Sequence, residues 1–226
     1  MKPFPTPLLD GVLLRRRKRF LADIRLADGR EVTAHCANPG AMTTCCEAAR
    51  PVLLSDRGGG TRRLRYTWEM IRIGRGWVGV NTAVANRVVE AWLRAGRVLP
   101  DAGPVRREVA VEGSRLDFGF GGRGLLEVKS VTLARDGVAA FPDAVTERGR
   151  RHVETLAALR VRGWRSVLLY FVTRTDARSV RPADEIDPDY GRALRAAVRA
   201  GVEVIALQAR FSRQGVARGP PLPVLL

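Results

Sequence analysis

The sequence predicts a two-domain chain of mixed α and β structure, in which a small all-β barrel precedes an α/β domain. Three observations predict it. Over the first third, short apolar or alternating runs are separated by glycine turns; at Thr82 the apolar spacing lengthens to three and four residues; beyond it, strand-like and helical stretches interleave. With 46% hydrophobic residues among 226, the chain has material for two cores.

Five strands are expected near 12–27, 30–36, 51–55, 62–73 and 77–81, with turns at Asp28-Gly29, Arg57-Gly58-Gly59-Gly60 and Gly74-Arg75-Gly76. So many short strands in so few residues suit a closed barrel, and the oligonucleotide-binding (OB) fold is the natural candidate. In the fourth strand Leu64, Tyr66, Trp68 and Met70 alternate with Arg63, Arg65, Thr67 and Glu69, which predicts one buried and one basic face. From 82 to 99 the stripe Val84, Val88, Val89, Trp92 and Leu93 is helical, and Pro100 closes it. The domain change therefore falls here, with a nucleic-acid-binding barrel over 1–82 and a second domain over 83–226.

That second domain is expected to contain strands near 105–112, 115–120 and 124–132, then a helix at 147–162 with Thr146 as its N-cap and Glu147 in its first turn. A strand at 165–173, a helix at 188–200 and a strand at 202–208 complete it. The order α-β-β-β-α-β-α-β gives a mixed sheet with helices on its faces, as in the restriction-endonuclease-like fold among others.

Lys and Arg number 39 against 23 Asp and Glu, a net charge of +16, shared equally between residues 1–85 and 86–226. Nucleic acid is the expected anionic partner. No run is long and apolar enough to span a membrane, no secretory leader is recognisable, and the expected location is cytoplasmic. Cys36, Cys45 and Cys46 fit no disulfide framework, and with His35 they make a poor zinc set, since adjacent residues pair badly as ligands. Arg supplies 36 of the basic residues; the lysines are Lys2, Lys18 and Lys129. A lysine kept inside the second domain suggests a need for a compact ammonium.

Lys129 sits in the densest chemical constellation. In Ser114–Phe120 the residues Leu116, Phe118 and Phe120 share one strand face and Asp117 takes the other; on the next strand Glu127 and Lys129 point together. Joined by the Gly121-Gly122 turn, the strands bring three charged groups to one surface. Two carboxylates with the Val128 carbonyl can hold Mg²⁺, and Lys129 can orient a water or stabilise developing charge. Asp117, Glu127 and Lys129 are thus the candidate catalytic residues. Asp117 and Glu127 are candidate metal ligands, with Glu90 of the preceding helix as a third. The competing reading is a cross-strand Asp117–Lys129 ion pair beside a solvated Glu127. Candidate phosphate contacts are the run Arg15, Arg16, Arg17, Lys18 and Arg19 on the first strand, then Arg63 and Arg65, then Arg148, Arg150 and Arg151. His152, a lone helical histidine, reads as structural.

At these residues the chain resembles the sugar fermentation stimulation protein A family of bacteria and archaea. The resemblance is carried, in order, by Arg19–Ile24, His35–Met42, Trp77–Thr82, Ser114–Phe118, Leu126–Leu133 and Phe141–Thr146. Arg148-Gly149, Arg151-His152 and Ile186-Asp187-Pro188 continue it. It implies an OB barrel followed by a nuclease-like domain of the PD-(D/E)XK type, DNA binding with little sequence preference, and a genetic link to sugar use. Asp117, Glu127 and Lys129 match the family's nuclease-like motif, whereas Cys45-Cys46-Glu47-Ala48 departs from its expected apolar, glycine-containing turn. Three functions follow as expectations: a DNA-binding protein, a Mg²⁺-dependent nuclease, or an adaptor for acidic proteins.

Overall fold

A computed structural model describes residues 1, 3–4, 7–58 and 63–226. The expected start of a strand at 62 and the Gly59-Gly60 turn lie outside them. The N-terminal strands are β1 Leu8–Arg17, β2 Leu21–Leu26, β3 Glu31–His35, β4 Pro51–Asp56, β5 Tyr66–Ile73 and β6 Gly76–Gly79. Antiparallel pairing runs β3-β2-β1-β4-β5, and a short parallel pairing of β3 with β5 closes the barrel. The single strand expected over 12–27 is a hairpin. Lys18 and Arg19 turn the chain with φ of 49° and 64°, a left-handed conformation that no glycine announces. Ala49, after the Cys45-Cys46-Glu47-Ala48 segment, is likewise left-handed at 64°.

β5 corrects a second expectation, because it has no basic face: Tyr66 through Ile71 are all buried. Leu53 pairs with Met70 and Leu54 with Trp68, so Glu69 is the extra residue of a bulge. The bulge inverts the alternation. Trp68 faces the barrel interior, while Met70 joins Leu53 against the first helix in a core shared with the second domain. Glu69 is buried between them, its carboxylate taking hydrogen bonds from Ser55 Oγ at 2.6 Å and Asn81 Nδ2 at 2.8 Å.

In the second domain α1 spans Ala83–Arg94, ending short of the expected residue 99. Gly96, at φ 64°, reverses the chain, and the Gly96 and Arg97 N–H groups close on the Leu93 and Trp92 carbonyls in a Schellman arrangement. β7 Val105–Val111, β8 Ser114–Phe120 and β9 Gly124–Val131 form an antiparallel set. α2 Glu147–Val161 follows, and Thr146 caps it by accepting from the Gly149 N–H. β12 Arg165–Val172 is parallel to β9 on one side and to β14 Glu203–Ser212 on the other, and α3 Pro188–Arg199 connects them. Buried on both faces, β12 reads as one apolar run. Three short strands, β10 Leu133–Arg135, β11 Val138–Phe141 and β13 Ser179–Pro182, make a small separate sheet, and β15 Gly215–Pro221 edges β14. These four were not expected: three are very short, and the fourth ends in prolines that only an edge tolerates.

The two sheets are continuous through β6 and β14, where Trp77 pairs with Phe211. Phe211 lies over Gly79, where a Cβ would come within 2.2 Å of its ring, and packs edge-on against Phe171 at 6.2 Å. Replacing it opens a void at the seam. Phe211→Ala is expected to cost about 3–5 kcal/mol, read as a lowered denaturant midpoint, with Phe211→Leu costing less.

Candidate active site in the interdomain cleft

The site begins where two strands separate. β8 and β9 pair from Phe120–Gly124 to Phe118–Leu126 and no further. At the fork the Val128 N–H donates to Asp117 Oδ2 at 2.8 Å, and the Asp117 N–H donates to Glu127 Oε2 at 3.3 Å. Side-chain carboxylates thus replace the missing backbone partners. Leu116 belongs to the core on the α2 and α3 side of the sheet, whereas Phe118 and Phe120 belong to the core on the α1 side, so the three do not share one face as expected.

Asp117, Glu127 and Lys129 come together in an open cleft of about 500 Å³ between the domains. Glu127 and Lys129 are buried, and Lys129 Nζ donates to Glu127 Oε1 at 2.8 Å. The ion pair therefore joins Lys129 to Glu127, not to Asp117. Asp117 Oδ1 takes a hydrogen bond from Asn86 Nδ2 at 2.6 Å. Burial, then the neighbouring Glu127 charge, pushes the Asp117 carboxyl up to about 6, against partial relief from Val128 N–H and Asn86. Burial acts the same way on Glu127, but the Lys129 charge and the His152 hydrogen bond outweigh it and hold that carboxyl below its usual range.

Two residues that sequence reasoning passed over belong to the site. His152 contacts Glu127 Oε1 through Nδ1, lies 3.4 Å from Lys129 Nζ, and its Nε2 faces Arg148 Nε at 3.4 Å. Its signal was a polar residue on the apolar stripe of α2, between Gly149 and Leu156. Asn86 carried no such signal, because one amide on a helix flank is unremarkable. Glu90, in contrast, does not join the site. One turn beyond Asn86, it is held by Arg94 at 3.0 Å and faces Arg107 at 3.7 Å.

The expected phosphate contacts divide. Arg15 and Arg17 both pair with Asp23 at 2.9 Å, and Arg16 donates to the carbonyls of Arg19, Asn38, Gly40 and Ala41. Arg65 pairs with Asp56 at 2.7 Å, and Arg150 lies between Glu154 and Asp189. Lys18, Arg19, Arg63, Arg148 and Arg151 are exposed without an ion-pair partner among the described residues, and Arg19 and Arg148 line the cleft itself. Cys36 and Cys45 are buried in the barrel core, where burial raises both thiols, that of Cys45 to about 12; His35 is exposed.

The barrel supplies one wall of the cleft through Asn38, Pro39 and Gly40. Asp143 of the second domain fixes that wall: its Oδ2 accepts from Met42 N–H at 3.0 Å, and a Cβ on Gly40 would come within 2.1 Å of its carboxylate. Arg174, buried, donates to Thr44 Oγ1 at 3.1 Å.

Known proteins match along the whole chain. Residues 14–80 match the family model described as the SfsA N-terminal OB domain, and residues 83–215 that of the sugar fermentation stimulation protein RE domain. The sugar fermentation stimulation protein homolog of Geobacter sulfurreducens is 46% identical, covering 98% of this chain and 97% of that protein. That of Pseudomonas putida strain W619 is 50% identical, covering 99% and 98%. A solved structure, Pyrococcus furiosus SfsA in complex with Ca²⁺, superposes with a TM-score of 0.89 at 25% identity over the full length of both chains.

The raised Asp117 carboxyl has a measurable consequence. With its folded value near 6 against an ordinary 3.8, the folded protein binds that proton more tightly than the unfolded chain. The resulting stability is fully present below about 4 and is lost as pH rises through about 6. Asp117→Asn removes this titration, so its stability is expected to gain on that of the wild type between pH 4 and 7.5, by on the order of 2–3 kcal/mol, read as thermal midpoints across that range.

Proposed function

The chain belongs to the sugar fermentation stimulation protein family, and on that premise we propose that it binds nucleic acid across the interdomain cleft and hydrolyses phosphodiester bonds there with a divalent cation. The observation that carries this reading is the meeting of Asp117, Glu127 and Lys129 at the floor of one cleft whose rim holds Arg19 and Arg148. DNA is the polymer that the family resemblance favours.

The donor set suits a hard ion. Both Asp117 oxygens and Glu127 Oε2 carry one hydrogen bond each and keep lone-pair capacity, and the raised Asp117 carboxyl marks negative charge that the protein leaves uncompensated. Among the described residues no third His, Cys, Asp or Glu completes a protein-only cage. The remaining positions then fall to backbone, water and phosphate, a mixture that Mg²⁺ accepts. The Pyrococcus furiosus relative, described in complex with Ca²⁺, supports a divalent ion in this chain. Bound there, such an ion supplies neutralisation of phosphate charge and activation of a water.

The chain's own residues do the rest. Lys129 Nζ spends one N–H on Glu127 and keeps others to donate to a phosphate oxygen as charge develops on it. His152 reaches from α2 to Glu127 Oε1 and sets that carboxylate's direction. The guanidinium of Arg148 and the exposed Lys18 and Arg19 meet flanking phosphates, contacts that hold a strand without reading its bases. A second reading, binding without cleavage, has one observation in its favour: Glu127 Oε1 is already engaged by both Lys129 and His152.

Incubation with single- and double-stranded DNA in Mg²⁺ or Mn²⁺ separates the two. Cleavage is expected, with Lys129→Ala slower by about 10²–10³-fold and still able to bind. Retained binding with no cleavage in either metal leaves the non-cleaving reading, and cleavage that Lys129→Ala does not slow places the hydrolysis outside this cleft and overturns the proposed site. Independently, Mg²⁺ or Ca²⁺ is expected to raise the thermal midpoint of the wild type and not that of Asp117→Asn or Glu127→Gln. DNA affinity should fall steeply with salt in every variant; a salt-insensitive affinity would remove the electrostatic basis of binding.

A further inference from the structure

Beside the cleft runs a trough of about 520 Å³ between the β7–β8 turn and the outer face of α2. Arg148 and His152 line both depressions, so the trough continues the cleft. Three arginines stand along it, Arg115 from β8 with Arg148 and Arg151 from α2. Ser114 Oγ and Thr155 Oγ1, 3.0 Å apart, add hydroxyls to its lining.

Two carboxylates, Glu112 and Glu154, also face the trough, and an arginine from outside it lies beside each, that beside Glu154 being shared with Asp189. Arg162 pairs with Glu112, and Arg150 lies 3.6 Å from Glu154. Of the three trough arginines, Arg151 has no ion-pair partner among the described residues, Arg148 meets only His152, and Arg115 lies 4.0 Å from a half-exposed Glu108. Positive charge is thus left uncompensated inside a concavity, where the field is focused, next to a floor that the proposed reading gives to a phosphodiester.

We infer that this trough is a second phosphate subsite, holding the phosphate adjacent to the one in the cleft, so that the protein takes a nucleic-acid strand spanning at least two phosphates and not a mononucleotide. The inference rests on the nucleic-acid reading above and adds the strand's path: from the carboxylate floor, past Arg148, along α2 to Arg151 and Arg115. Guanidiniums and hydroxyls suit phosphate oxygens and carry no base preference.

The test is a salt titration of a fluorescein-labelled oligothymidylate against the wild type, the R115A/R151A double variant and R115K/R151K. Loss of two phosphate contacts should weaken binding by about tenfold or more and flatten the plot of log affinity against log salt by about 1.4, at roughly 0.7 per contact for single strands. The lysine variant keeps the charges and should keep the slope. Both positions are exposed, so thermal midpoints should stay with the wild type. In addition, Arg162→Ala frees Glu112 to face the trough and should weaken binding, and Glu112→Gln in that background should restore it. A double alanine variant with wild-type affinity and slope overturns the subsite and leaves the functional reading standing. Thymidine monophosphate competing as well as the oligonucleotide does the same. A wild type that binds no oligonucleotide overturns the functional reading, and the subsite with it.

Discussion

Beyond Phe118 the strands β8 and β9 stop pairing, and two carboxylates bridge the gap: Asp117 accepts the Val128 N–H and Glu127 accepts the Asp117 N–H. A buried N–H left unpaired there would cost on the order of 1–3 kcal/mol, more than a hydrogen bond's usual net gain, so the acids are held in place by the backbone's own requirement. The floor of the cleft is consequently set by sheet register. β9 is pinned by parallel pairing with β12 over eight residue pairs, from Arg165–Gly124 to Val172–Val131, which fixes where Glu127 and Lys129 emerge. A site built on paired strands holds its geometry better than one built on loops.

The same fork sets the electrostatics. It forces two acids into one partly dry space, where Lys129 and His152 satisfy Glu127 and leave Asp117 with its carboxyl raised. Above about pH 6 the ionised Asp117 carboxylate is destabilising for the protein alone. It places a patch of uncompensated negative charge inside a chain of net charge +16, with an arginine rim around an acidic floor. On the proposed function, a cation and a polyanion arriving together would relieve both excesses.

The barrel is part of the site, not an appendage to it. Arg16 ties down the carbonyls of the 38–41 loop, Asp143 reaches across to Met42 over a glycine that leaves it room, and buried Arg174 grips Thr44. Met70 and Leu53 of the barrel share a core with Val88 and Trp92 of α1. The bulge at Glu69 makes this sharing geometrically available, since without it Met70 would point into the barrel.

The sequence by itself determined the type and order of the longer elements, though not the hairpin over 12–27 or the short and edge strands β10, β11, β13 and β15, because side-chain periodicity and turn residues are local and act before any packing. It likewise determined that Glu127 and Lys129 share a strand face, which follows from a period of two. Apart from the end of α1 at Gly96, a local stop, what it misjudged was not local. The turn at Lys18-Arg19 and the bulge at Glu69 lack glycine and show only when strands pair, and a two-faced burial of β5 needs the second domain to exist. An arginine run reads as free charge, yet Asp23 and the 38–41 carbonyls, brought up by folding, consume three of its five members. Glu90 and Asn86 stand one turn apart on the same helix; only the crossing of α1 over the sheet decided that the amide, and not the acid, reaches Asp117. Local pattern specifies which chemistry is available, and the meeting of distant segments specifies which of it is used, because a hydrogen bond or an ion pair depends on distance in space and not along the chain.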